Sequence, residues 1–239
     1  MMVAQPGWDD GVRAAKATPG LDVGLHFNVL VGAPLAAVPS IMHVRSGRFL
    51  SLPALVRRAL AGGVHAGEVE AECEAQLAAI RAAGIAPTHI DSHRHTHALP
   101  VIRGAVSRVA ARHGLVLRTP LESPWWFPSD ALGHVHRAVI AAAWAAAGAT
   151  PPLPRRVDHF VGICLQGGTH FDQRLDLVLP RLAHGVTELM VHPGRTDDAL
   201  RAIDGYTWQR ELELEALTRR PLRRRLEGTG VALAGFRDL

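Results

Sequence analysis

From residue 22 onward, short β-prone runs alternate with longer helical patterns to the end of this 239-residue chain, and that alternation narrows the available folds most. Such a rhythm is the signature of βα units packed around a mainly parallel sheet. Strands are expected near Val23 to Val29, Thr88 to Ser92, Leu115 to Arg118, His159 to Cys164, Glu188 to His192 and Val231 to Phe236. Helical periodicity fills the intervals at Leu52 to Ala61, Gly67 to Ala83, Pro100 to His113, His134 to Ala147, Asp172 to Ala183 and Trp208 to Glu227, the last broken at Pro221. Gly84, Gly114 and Gly185 stand where a glycine ends a helix in the left-handed conformation. One α/β domain spanning residues 1–239 is therefore the expectation.

With 48% apolar residues the chain can bury a sizeable core. Its formal charge is +4, and Lys16 is the only lysine, so the positive charge is almost all guanidinium. These arginines are scattered among carboxylates rather than gathered with aromatics, which argues against a nucleic-acid partner. The one dense group, Arg219, Arg220, Arg223, Arg224 and Arg225, reads as the solvated face of a late helix. Cys73 and Cys164 are far apart and form no CxxC, so neither a disulfide framework nor a thiolate zinc site is expected, which suits a reducing cytoplasm. The start lacks the pattern of a signal peptide, and the longest apolar tract, Ala138 to Ala149, is too short to span a bilayer and reads as a buried helix.

Chemistry concentrates in Thr88-His89-Ile90-Asp91-Ser92-His93-Arg94-His95-Thr96-His97. On an extended backbone residues two apart share a face, so Asp91, His93, His95 and His97 would look into one space. One carboxylate and three imidazoles held close favour a cation, and the carboxyl ends of parallel strands are where ligands gather in α/β folds. His26 interrupts an otherwise apolar strand, where an unpartnered imidazole would be costly to bury. His192 ends another strand just before Pro193-Gly194, so three strand ends are expected to converge on one metal centre. Arg118, at the end of a fourth run, is either a surface residue or a guanidinium that orients a carboxylate or substrate. His43, His65, His113, His134, His136 and His184 lack such settings and read as surface or cap residues. The segment Thr119 to Asp130, with Trp125, Trp126 and Phe127, is either a loop pinned by buried aromatics or a stacking platform for a sugar ring.

The same residues carry a resemblance. Val23-Gly24-Leu25-His26-Phe27-Asn28 with Gly32-Ala33-Pro34-Leu35, Thr88 through His93 with His95 and His97, Met190-Val191-His192-Pro193-Gly194, and the stretch from Tyr206 to Leu239 are similar to the YdjC-like family, also called the ChbG/HpnK-like deacetylases. The resemblance implies an irregular (β/α) barrel-like fold and hydrolysis of acetyl groups from N-acetylated sugars, either chitin-derived oligosaccharides or glycolipid precursors. It further implies one divalent metal ion, zinc or magnesium, with His26 and His93 as its histidine ligands. His192, Asp91 and Arg118 are the expected catalytic group; His95, His97, Asn28 and Trp125 are the expected substrate-binding set. No membrane span is expected, and a homodimer is allowed.

The family's third metal ligand belongs to an acidic pair in an Asn-Ala-Asp-Asp-Phe-Gly-like motif on its first strand. Met1 to Ala4 resembles the family's second strand instead, so the expectation is a first βα unit upstream of Met1, with Asp9 and Asp10 as the acidic start of a helix rather than a substitute pair. A non-catalytic sugar-binding or regulatory relative is the rival to the enzyme. A phosphoesterase is less well supported, since there is no glycine-rich phosphate cradle.

Overall fold

The computed structural model describes residues 1–123, 131–148, 150–153 and 156–239, apart from the side chains of residues 131 and 132. Two compact units emerge, one formed by Met1–Arg118, Ala142–Arg156 and Gly235–Leu239, the other by Thr119–Ala141 and Val157–Ala234.

The first unit opens with helix α1 (Trp8–Ala17) and strand β1 (Leu25–Phe27). A short antiparallel hairpin follows, β2 (Met42–His43) with β3 (Arg48–Phe49), and then helices α2 (Leu52–Leu60) and α3 (Ala66–Ala82). Strand β4 (His89–Ser92), helix α4 (Ile102–His113) and strand β5 (Val116–Leu117) complete it. The three strands form a parallel sheet in the order β1-β4-β5, the register setting His26 beside Asp91 and His89 beside Val116. Beside the outer edge of β1, the Met1 amino group donates to Gly24 O and His26 N–H donates to Met1 O over 2.9 Å, the alternation of a parallel ladder. Leu25, Phe27, Leu77, Ile80, Ile90, Ile102 and Leu117 are fully buried between this sheet and its helices.

Helix α5 spans Ala131–Ala146. In the second unit, β6 (His159–Val161) and β7 (Thr187–Leu189) pair in parallel around helix α6 (Phe171–Val178). Helices α7 (Asp198–Arg201), α8 (Trp208–Arg219) and α9 (Leu222–Arg225) follow, and the core is built on Leu165, Phe171, Leu175 and Val178.

Five of the six expected strands are present, shorter than expected. The sixth, Val231 to Phe236, is not a strand: residues 231–234 are exposed, and the chain enters a 3-10 turn at Phe236–Asp238. Two alanines and a glycine leave that run too little side chain to pack on a sheet. The hairpin β2–β3 was missed, although Ser46-Gly47, with Gly47 at φ 66°, is a turn signal. The break at Pro221 is where expected, between α8 and α9. Ala138 to Ala149 does not behave as a buried helix, since α5 leaves Val135 and Val139 each 59% exposed. Alanine supplies helix propensity there without needing burial. The arginine cluster is also not wholly solvated: Arg225 is buried and pairs with Asp172 and, over 2.6 Å, with Asp176.

Candidate active site

The carboxyl edge of the β1-β4-β5 sheet gathers the first unit's chemistry. His26 and Asp91 are cross-strand neighbours on one face, and His26 Nδ1–H donates to Asp91 Oδ1 over 3.0 Å. A carboxylate can only accept, so the proton of this bond sits on Nδ1, and any lone pair the ring offers lies on Nε2. Arg118, one residue beyond β5, pairs with the other oxygen of Asp91 at 2.8 Å. Burial alone would raise the Asp91 carboxyl, but the charges of His26 and Arg118 and the His26 hydrogen bond outweigh it, leaving the group well below the usual carboxylate range. Asp91 is therefore a fixed negative charge whose two oxygens are already committed.

His93 follows the last residue of β4, and its ring stands edge-on to His26 with centroids 5.7 Å apart. Two imidazoles at that separation, one oriented by a carboxylate behind it, match the way proteins present histidines to a cation. They fit the histidine half of the ligand set that the resemblance implies. Asp91 belongs behind them rather than among them, and among the described residues no group of three His, Cys, Asp or Glu side chains is arranged to hold a metal ion. Asp9 and Asp10 begin α1 as expected, both exposed, with Asp10 paired to Arg13.

The expected alternation beyond His93 fails. Extended backbone stops at Ser92, and His93–Ala98 is a 3-10 turn in which Arg94 (φ 53°) and His95 (φ 52°) are left-handed. Asp91, His93, His95 and His97 thus do not line one strand face. His97 turns inward and is completely buried: Nε2–H donates to Arg118 O over 3.1 Å, and Nδ1 accepts from Ser92 Oγ at 2.5 Å. Burial chiefly, then the Arg118 charge, pushes this imidazole down to about 4 and keeps it neutral. Both nitrogens of His97 are engaged by the fold. The His95 ring lies 6.1 Å from that of His97. Asn28 is buried as well; its carboxamide oxygen accepts from Leu30 and Val31 N–H, and its backbone is bonded in both directions by the Gln76 amide. Its contacts are those of a loop anchor. Trp125 lies outside the described residues.

His89 was missed. It lies two residues before Asp91, and that spacing alone could have flagged it. Its ring stacks 3.9 Å from Phe236 and burial pushes it down to about 4; with Asp22, His26 and Asp91 it borders a cavity of about 280 Å³.

His192 lies in the second unit, three residues beyond β7, in a network of its own. Its backbone N–H donates to Glu213 of α8, and its Nδ1 faces the Gln166 amide nitrogen at 3.5 Å. The Tyr206 hydroxyl donates to the other Glu213 oxygen over 2.5 Å, and the Tyr206 ring stands 5.5 Å from that of His192. Burial raises Glu213 above the ordinary carboxylate range despite the bonds it accepts from Tyr206 and His192. Glu213 carried no legible signal of its own, and Tyr206 entered only as the start of the stretch that resembles the family. Among the described residues no helix is long and apolar enough to cross a membrane.

Known proteins resemble the whole chain. A carbohydrate deacetylase of Geobacillus stearothermophilus is 32% identical over 240 residues, which takes in 100% of this chain and 84% of that protein. A chitooligosaccharide deacetylase of Enterobacter sp. (strain 638) is 30% identical, with 100% of this chain and 86% of that protein covered. A crystal structure from Enterococcus faecalis V583, described as a proposed cellobiose-phosphate cleavage protein, superposes with a TM-score of 0.70 at 23% identity, over 96% of this chain and 82% of that one, and shares the α/β fold. Residues 1–228 match the family described as YdjC-like protein, and the chain belongs to that family.

Proposed function

We propose that this protein is a metal-dependent carbohydrate deacetylase, which hydrolyses the acetamide of an N-acetylated oligosaccharide or glycolipid precursor. The observation that carries the reading is the His26–His93 pair, edge-on at 5.7 Å, with Asp91 holding the far nitrogen of His26. The names of the relatives support the same substrate class. The single barrel-like domain that the resemblance implies belongs to this reading.

In it, His26 Nε2 and His93 would hold the metal, and two imidazoles favour zinc or a similar borderline ion over magnesium. When bound, such an ion supplies an activated water and polarises the acetyl carbonyl. Asp91 keeps the His26 proton on Nδ1 and so keeps Nε2 available as a lone pair. Arg118 holds Asp91 charged, and His97 fixes the Arg118 carbonyl from below. His192 is the proton donor of this reading, and the loop carrying it sets where its proton lies.

Acetate release from N-acetylated chitooligosaccharides, measured with and without a chelator, tests the reading. Release that stops in the chelator and returns with zinc is expected; release indifferent to the chelator sinks the metal. A non-catalytic sugar-binding role is favoured by one observation, the lack of a third ligand side chain in a group with His26 and His93 among the described residues. Saturable binding of the same oligosaccharides without acetate release would establish it.

A further inference from the structure

Glu213 is 1% exposed, on α8 between Leu212 and Leu214. A carboxyl group buried so deeply is costly unless each oxygen is satisfied. Both are: one accepts the backbone N–H of His192, the other the Tyr206 hydroxyl at 2.5 Å. The Tyr206 oxygen in turn accepts Gly167 N–H at 3.4 Å, and Arg174 holds the same loop through the Cys164, Gln166 and Gly167 carbonyls. Gln166, on that loop, presents its amide nitrogen to His192 Nδ1. From the other side Arg210 caps the arrangement, bonding Tyr206 O at 2.7 Å and Asp204 at 2.7 Å while its own carbonyl accepts Gly194 N–H at 3.1 Å. One buried carboxylate thereby ties together the loop after β6, the loop after β7 and the approach to α8.

We propose that Glu213 is a positioning residue for His192, fixing the loop that carries it and, through Tyr206 and the Gln166 loop, the tautomer with its proton on Nε2. An amide NH₂ aimed at Nδ1 can only donate, so Nδ1 accepts and the proton resides on Nε2. That is the form with a proton on Nε2 to give. A glutamate that merely filled space would not need two donors from separate loops, nor a partner whose ring packs edge-on to the imidazole it serves.

The inference rests on the deacetylase reading only for its kinetic consequence, so the experiment has two readouts. The first is the ¹⁵N resonances of the His192 ring in the full chain, compared between wild type, Glu213→Leu and Glu213→Gln. In wild type they report the Nε2–H tautomer. In Glu213→Leu they move toward the tautomer average, and Glu213→Gln, which retains one acceptor, lies nearer wild type. The second is acetate release: Glu213→Leu lowers kcat about tenfold while KM stays within about twofold, the pattern of a displaced supporting residue. Unmoved His192 resonances in a folded Glu213→Leu protein overturn the proposal. If Glu213→Leu does not fold, Tyr206→Phe cuts the link to the Gln166 loop and shifts the same resonances by less; no shift there overturns it equally. Should wild type release no acetate, the deacetylase reading falls while the resonances still decide the role of Glu213.

Discussion

Asp91 and Glu213 are both buried carboxyl groups beside a histidine, yet their surroundings drive them in opposite directions. Asp91 faces a guanidinium and an imidazole, whose charges overcome its burial and hold it ionised. Glu213 receives a backbone N–H and a tyrosine hydroxyl, neutral donors that leave burial in command, so its carboxyl is raised. The first serves its histidine with charge, the second with geometry. Burial alone therefore says little about what a carboxylate contributes; the charge of its partners decides.

The widest test of that contrast separates the two histidines. His93→Ala should abolish both bound metal and acetate release, whereas His192→Ala should keep the metal and lower kcat by roughly 10²- to 10⁴-fold, the usual worth of a proton donor. Metal analysis beside the acetate assay reads both, and metal lost from His192→Ala would erase the distinction.

Next in size is Arg118→Met, which leaves the Asp91 charge buried without its guanidinium. Loss of about 3–5 kcal/mol is expected in urea unfolding, against about 1–3 kcal/mol for Glu213→Leu, which strands only neutral donors. Equal losses would mean that Asp91 is not the more strongly charged of the two.

His97 gives a pH test of the same floor. Its folded value of about 4 lies below the ordinary 6.5, so the stability tied to its neutral form is complete above pH 6.5 and drains as pH falls toward 4, by roughly 3 kcal/mol in all. His97→Gln should show a correspondingly shallower acid slope in melting temperature; an unchanged slope would acquit this imidazole.

The smallest effect has the opposite sign. Because the folded Glu213 carboxyl is raised above 4.5, its contribution is complete below that pH and is lost as pH rises through the folded value. Glu213→Gln, which cannot ionise, should lose less stability than wild type over that window. A parallel pair of melting curves against pH would show Glu213 to be charged like Asp91.

Most strand and helix positions were legible because hydrophobic period and glycine stops report local structure directly, as at Gly84 and Gly114, both with positive φ. The His26–Asp91–His93 grouping was legible in part: the histidines stood out in apolar or alternating surroundings, but cross-strand register, which no local pattern encodes, makes His26 and Asp91 partners. His97 leaves the expected strand face because alternation presumes that the strand continues, and two left-handed residues end it. The pairing of Glu213 with Tyr206 was not legible, because it arises from loops meeting at long range that no local pattern encodes.

Those two left-handed residues constrain how relatives of this chain can drift. An L-residue held at positive φ costs on the order of 1 kcal/mol, and β-branched side chains suffer most. Replacement of Arg94 or His95 over evolutionary time should accordingly run toward glycine or asparagine and away from valine or isoleucine, even though both partners of the neighbouring imidazole pair stay untouched. The bend, rather than any side chain upon it, would then be the inherited trait, and laboratory libraries at these positions should reveal the same asymmetry.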